Sequence, residues 1–101
     1  MNYNLQGKVA VVTGASRGIG EATVRQLDAE GANVVLVSRS KDKMIEIADS
    51  LRNKALVLDC DLSEDGIENH IRIQTMHKFE HIDILVNNAA VERNEPAHRA
   101  T

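Results

Sequence analysis

At 101 residues the chain has room for one small layered domain and none for a separate substrate domain. Hydrophobic residues make up 43% and charged residues 27%, with six glycines and one proline, which excludes disordered, collagenous and coiled-coil classes. Twelve Lys and Arg against fifteen Asp and Glu leave a net charge of -3, so no overall basic surface exists to drive binding to nucleic acid or an anionic membrane.

Residues 1–8 lack the cationic-then-apolar order of a secretory signal, and the apolar runs 9–12 and 34–37 fall far short of the ~20 residues that span a bilayer. Cys60 is the only cysteine, which excludes an internal disulfide, and a cytoplasmic location is expected. Residues 8–13 are β-branched-rich and run into glycine, the pattern of a buried central strand. A helix is expected over 19–30, with Ile19, Ala22, Thr23, Leu27 and the stem of Arg25 or Gln26 on its packed side and Gly31 as its stop.

Residues 33–38, centred on Val34, Val35, Leu36 and Val37, read as a second strand covered on both faces. A second helix is expected over 42–53, with Met44, Ile45, Ala48 and Leu51 as its apolar face. Residues 55–59 form a third strand, and Asp61, Leu62 and Ser63 lead into a third helix with Ile67, Ile71, Met76 and Phe79 at its apolar positions. The fourth strand covers 83–86, with Asn87 and Asn88 at its carboxyl end, and Pro96 argues for an irregular tail over 92–101.

Strands alternating with helices imply parallel pairing through right-handed crossovers. The expected fold is α/β, a partial Rossmann arrangement whose parallel four-stranded sheet has the order 3-2-1-4 with three connecting helices. Two helices then cover one face and one the other, so Val9, Val11 and part of 84–86 are expected to have incomplete cover. The 84–86 edge is accordingly a candidate for self-association.

The sharpest local feature is Thr13-Gly14-Ala15-Ser16-Arg17-Gly18-Ile19-Gly20, between the central strand and the first helix. Gly14 lets the chain leave the strand, Gly18 permits close approach of a ligand to the backbone, and Gly20 allows tight packing of the helix. The helix start then offers unpaired N–H groups to a pyrophosphate, with Ser16 adding a hydroxyl and Arg17 a cation. No Gly-Lys-Ser or Gly-Lys-Thr ending is present, which excludes a phosphate-transfer loop.

Arg39 stands 19 residues beyond Gly20, where an acidic residue commonly receives the adenosine ribose of NAD. The reversed charge favours a 2′-phosphate, hence NADP over NAD, with Arg17 and Lys41 in support. Asp61 and Leu62 after the third strand are candidates for adenine contact, while Asp59 either terminates the strand or orients the loop. Asn87, Asn88, Ala89 and Ala90 follow the fourth strand, where they approach the cofactor ribose or hydrogen-bond the strand end.

Taken in this order and spacing, Thr13 through Gly20, Asp61-Leu62 and Asn87-Asn88-Ala89, preceded by Leu5-Gln6-Gly7-Lys8, closely resemble the amino-terminal half of the short-chain dehydrogenase/reductase family. The 3-oxoacyl carrier-protein reductases are one similar subgroup. The resemblance implies that residues 1–101 are a truncated NAD(P)-binding Rossmann-type domain. It places Gly14, Gly18 and Gly20 at the pyrophosphate, with Ser16, Arg17 and Ile19 beside it. Arg39 falls at the selectivity position, Asp61 and Leu62 around adenine, and Asn87 with Ala89 beside the nicotinamide ribose. Two departures are a Glu80 where the family often ends a helix with glycine, and an Ala90 in place of the glycine after Asn-Asn-Ala.

The implied reaction is carbonyl reduction or alcohol oxidation by hydride transfer, which needs a tyrosine hydroxyl, a lysine that lowers its pKa, and a serine to orient the carbonyl oxygen. Tyr3 is the only tyrosine, and Gly7 rather than lysine stands four residues on, so no catalytic residue is assigned. The chain is therefore expected to bind the dinucleotide without completing turnover alone; the alternative is a noncatalytic folding or interaction fragment. His77 and His81, at i,i+4 spacing, lack the glutamate of a hydrolytic metal motif and read as an exposed helical face or local capping, and Cys60 reads as strand-end packing.

Overall fold

The computed structural model describes residues 4–88. Its elements alternate as β1 (Val9–Thr13), α1 (Gly18–Ala29), β2 (Asn33–Ser38), α2 (Lys41–Asp49), β3 (Ala55–Asp59), α3 (Ile67–Phe79) and β4 (Ile84–Asn87). All strands are parallel and follow the expected order β3-β2-β1-β4. The irregular tail expected over 92–101 lies outside the described residues.

The two inner strands are continuous apolar runs because both of their faces are covered. Successive side chains alternate between faces, so Val9, Val11, Val35 and Val37 join Leu58, Cys60, Ile67 and Ile71 on the α3 side. Val12, Val34 and Leu36 meet Val24, Met44 and Ile47 on the α1 and α2 side. Full burial of each such valine contributes about 1.5–3 kcal/mol.

The expected exposure of Val9 and Val11 is not found: both are buried, because α3 lies across them. Incomplete cover falls instead on Leu85 of β4, which is 67% exposed. Cys60 is buried at the end of β3 as expected.

The helices form near the expected places, but with rotated faces. In α1 the inward stripe is Gly20, Val24, Leu27 and Asp28, while Ile19 is 69% exposed and Ala22 lies outside. A spacing of four along the helix selects 20, 24 and 28; position 19 is displaced by one step of about 100°. In α2, which ends at Asp49 rather than residue 53, Ile47 faces the core in place of the expected Ile45. In α3 the stripe is Ile67, Ile71 and Thr75, with Phe79 half-buried, so the expected Met76 points outward. Burial of Thr75 is tolerated because its Oγ1 donates to the Ile71 carbonyl at 2.8 Å.

The ends of α1 and α3 show why glycine, or a residue in its conformation, is used there. Gly31 adopts φ +103 just past α1, as expected for a helix stop. Glu80 caps α3 at φ +75, the one described non-glycine residue with positive φ. The chain leaves the helix there, so His77 and His81 do not share a helical face. His81 Nε2 lies 3.1 Å from Asp83 Oδ2 and 3.1 Å from the Gly7 carbonyl oxygen instead.

Candidate functional site

Because every strand runs in the same direction, the segments that follow β1, β2, β3 and β4 emerge at one edge of the sheet. This places the 14–20 turn, Arg39, Asp61 with Leu62, and Asn87 at that edge. The chain reverses its direction of winding between β1 and β4, which is where an open α/β sheet leaves a crevice.

The turn is anchored from below. Gly14 and Ala15 donate their N–H groups to the Val37 carbonyl at 2.8 and 3.3 Å, and Gly14 has φ +67. Gly20 packs so closely that a Cβ built on it would stand 1.8 Å from the Gly14 carbonyl oxygen. Its lack of a side chain thus joins the start of α1 to the turn itself, more directly than to the sheet.

Gly18 differs: a Cβ there would meet no atom within 4 Å, and its φ is +57. Arg17, Gly18 and Ile19 are all exposed. Arg17 is the N-cap of α1 and makes no side-chain capping bond, so the first turn of the helix presents its N–H groups and positive dipole end outward. Such a start, open above Gly18 and closed below Gly20, fits an anionic diphosphate.

Ser16 is buried, and its Oγ accepts a hydrogen bond from Ser38 Oγ at 3.1 Å. Arg39 follows β2 directly, is exposed, and has no ion-pair partner among the described residues. Asp61 is half-buried; its Oδ1 accepts bonds from the Ser63 N–H at 2.9 Å and the Ser63 hydroxyl at 2.7 Å, which shapes the loop after β3. Leu62 is half-buried against the α3-side core.

At the end of β4, Asn87 is exposed, and its Oδ1 accepts from Thr13 Oγ1 at 3.1 Å. Thr13 Oγ1 also accepts from the Asn88 N–H at 3.0 Å. Asn88 Nδ2 is a buried donor without a hydrogen-bond partner among the described residues. Ala89 lies outside the described residues, as does Ala90.

Two linking residues were given no role from the sequence: Thr13, read only as the first residue of the glycine motif, and Ser38, read only as the end of the second strand. A polar hydroxyl closing each of two buried apolar strands was the available signal. A cleft of about 390 Å³ opens on the α3 side, between Val11, Thr13, Leu62, Ile71, Leu85 and Asn87. It adjoins the ends of β1 and β4 but does not include the glycine turn or Arg39.

Cys60 stands outside this arrangement. Burial pushes its thiol up, with the carboxylates of Asp59 and Glu64 acting in the same direction. A thiol held neutral in this way is a packing group and a poor nucleophile.

A family model described as short chain dehydrogenase matches residues 8–101. An uncharacterized oxidoreductase of Staphylococcus epidermidis is 46% identical over 83 residues, covering 81% of this chain and 36% of that protein. The L-sorbose reductase of Gluconobacter frateurii, complexed with NADPH and L-sorbose, has a TM-score of 0.85 and 36% identity, covering 100% of this chain and 40% of that one. The 3-ketoacyl-(acyl-carrier-protein) reductase of Brucella melitensis, complexed with NADH, has a TM-score of 0.75 and 34% identity, covering 80% and 33%. The chain spans about a third of the length of the curated relatives it matches.

Proposed function

The chain belongs to the short-chain dehydrogenase family, and from that premise we propose that it supplies the NADP-binding portion of an oxidoreductase acting on a carbonyl or alcohol. The observation that carries the reading is the 14–20 turn: an uncapped helix start, open at Gly18, held tight by the contact between Gly20 and the Gly14 carbonyl. The pyrophosphate lies against the N–H groups of that start, with the Arg17 guanidinium beside it.

Arg39 is the selectivity residue in this reading. Its exposed guanidinium at the end of β2 favours the 2′-phosphate of NADP, where a carboxylate would favour the free ribose hydroxyls of NAD. Solved relatives carry NADPH in one case and NADH in another, so the preference rests on this residue and not on kinship. In this reading Leu62, in the loop that Asp61 shapes, is assigned to adenine, and Asn87, held by Thr13, is assigned with Ala89 to the nicotinamide ribose.

When bound, the nicotinamide supplies hydride exchange with carbon. This chain's own residues hold and orient the dinucleotide. Tyr3 has no lysine four residues on, so proton transfer to a substrate oxygen is not assigned to any residue of the chain.

The test is a parallel titration of the 101-residue chain with NADP and NAD, followed by ligand fluorescence and thermal unfolding. NADP is expected to bind saturably and to raise the unfolding temperature; at a hundredfold excess over Kd the stabilisation is about 2.7 kcal/mol. Arg39→Glu is expected to abolish the preference for NADP. A folded chain that binds neither dinucleotide at millimolar concentration overturns the reading.

A further inference from the structure

The turn and the selectivity residue are joined by a buried relay of hydroxyls. Ser38, the last residue of β2, is 7% exposed, and Ser16 in the glycine turn is 6% exposed. The Ser40 backbone N–H donates to Ser38 Oγ at 2.9 Å, and Ser38 Oγ donates to Ser16 Oγ at 3.1 Å. An N–H can only donate, so Ser38 Oγ accepts from position 40, and in its bond to Ser16 Oγ the Ser38 O–H is the donor.

Two consequences follow from that polarity. Ser16, having accepted a hydrogen bond, has its own O–H left to donate, and each donor in the chain polarises the next. The serines at 38 and 40 also bracket Arg39, so the bond between them fixes the backbone from which the guanidinium extends. One hydroxyl therefore prepares a donor in the glycine turn and holds a cation at the end of β2. Both groups are suited to an anion between β1 and β2.

We propose that Ser38 is a positioning residue for cofactor selection: through Ser16 and Arg39 it favours the dinucleotide that carries a 2′-phosphate. This rests on the NADP reading of the site. Ser38 is not placed in contact with the cofactor, and its effect is expected on discrimination between NADP and NAD, not on dinucleotide binding in general.

The experiment measures Kd for NADP and for NAD, with thermal unfolding in parallel, for the unsubstituted chain, Ser38→Ala, Ser38→Thr, Ser16→Ala and the double variant Ser16→Ala with Ser38→Ala. Removing one such hydrogen bond is expected to weaken NADP by about five- to tenfold. NAD binding is expected to change less than about twofold. Ser38→Thr, which keeps the hydroxyl, restores the preference. In the Ser16→Ala background the further loss on removing Ser38 is expected to shrink, because part of its path is already gone.

Should Ser38→Ala fail to fold, Ser38→Cys keeps the volume with a weak donor and is read by the same criteria. Equal weakening of NADP and NAD, or no change in either, overturns the proposal and leaves the dinucleotide reading intact. Failure of the unsubstituted chain to bind either dinucleotide overturns that reading, and the proposal falls with it.

Discussion

Gly18 and Gly20 lie two residues apart in one turn, yet alanine at each is expected to fail in a different way. At position 20 the new Cβ would be 1.8 Å from the Gly14 carbonyl oxygen, 2.7 Å from its carbonyl carbon and 3.2 Å from Ala15 Cα. All three are backbone atoms, so no side chain can swing aside. Retreat of the turn would stretch the 2.8 Å bond from the Gly14 N–H to Val37 and displace the buried Ala15. Overpacking of this kind costs about 1–3 kcal/mol, and a weakened buried hydrogen bond about another 1 kcal/mol or more. The helix-propensity gain of alanine over glycine offsets about 1 kcal/mol. The net loss is about 1–3 kcal/mol, a fall of roughly 5–20 °C in Tm for a chain of this size. At position 18 no atom stands in the way, and the φ of +57 costs about 1–2 kcal/mol, of which the lower unfolded-state entropy of alanine returns up to about 1. Gly18→Ala is thus expected to unfold within a few degrees of the unsubstituted chain, while its methyl blocks the approach of NADP. Circular dichroism melts and an NADPH fluorescence titration on the two variants test the contrast. A Gly20→Ala chain as stable as the parent, or a Gly18→Ala chain that melts as low as the Gly20→Ala chain, would refute the division of roles.

Glu80→Gly is expected to stabilise the chain by about 0.5–1 kcal/mol, because it relieves the left-handed backbone at φ +75 by more than the added unfolded-state freedom costs; urea melts read the change in midpoint. Asp28→Ala is expected to destabilise by about 2–4 kcal/mol. The buried carboxylate accepts from the backbone N–H groups of Arg52 and Asn53 and from Asn53 Nδ2, and a melt indistinguishable from the parent would contradict this accounting. Cys60 has a thiol raised above its ordinary value of 9.0. Between the unfolded and folded values the unfolded chain is the one that has lost the proton, so this residue makes stability fall as pH rises through that window. The stability of Cys60→Ala is therefore expected to fall less between pH 8 and 10 than that of the parent, as measured by denaturant midpoints.

Much of this architecture was legible in the chain because continuous apolar runs and glycine-bearing breaks identify buried parallel strands and their turns. Residues 33–38 and 55–59 needed no correction. The helices were placed within a few residues, but their inward faces were misread. Ile19 is apolar and exposed, whereas Asp28 is charged and buried, since the Arg52 and Asn53 backbone donors meet its carboxylate. Hydrophobicity along α1 cannot report a partner supplied from another part of the chain. The same limit hid the roles of the Thr13 and Ser38 hydroxyls, which act across strands.

The sequence by itself determined the alternation of strands and helices, the parallel order 3-2-1-4, and the gathering of the glycine turn, Arg39 and Asn87 at one edge. These follow from periodicity, short connections and the handedness of crossovers, which are properties of neighbouring residues and of chirality. Tertiary structure alone decided that α3 seals Val9 and Val11, that Leu85 is left uncovered, and that Gly20 closes on the Gly14 carbonyl while Gly18 stays open. It also decided that the Ser38 hydroxyl hydrogen-bonds Ser16 Oγ. Each of these depends on where atoms from separate segments meet in space, and angles and distances of that kind are set by packing across the whole sheet.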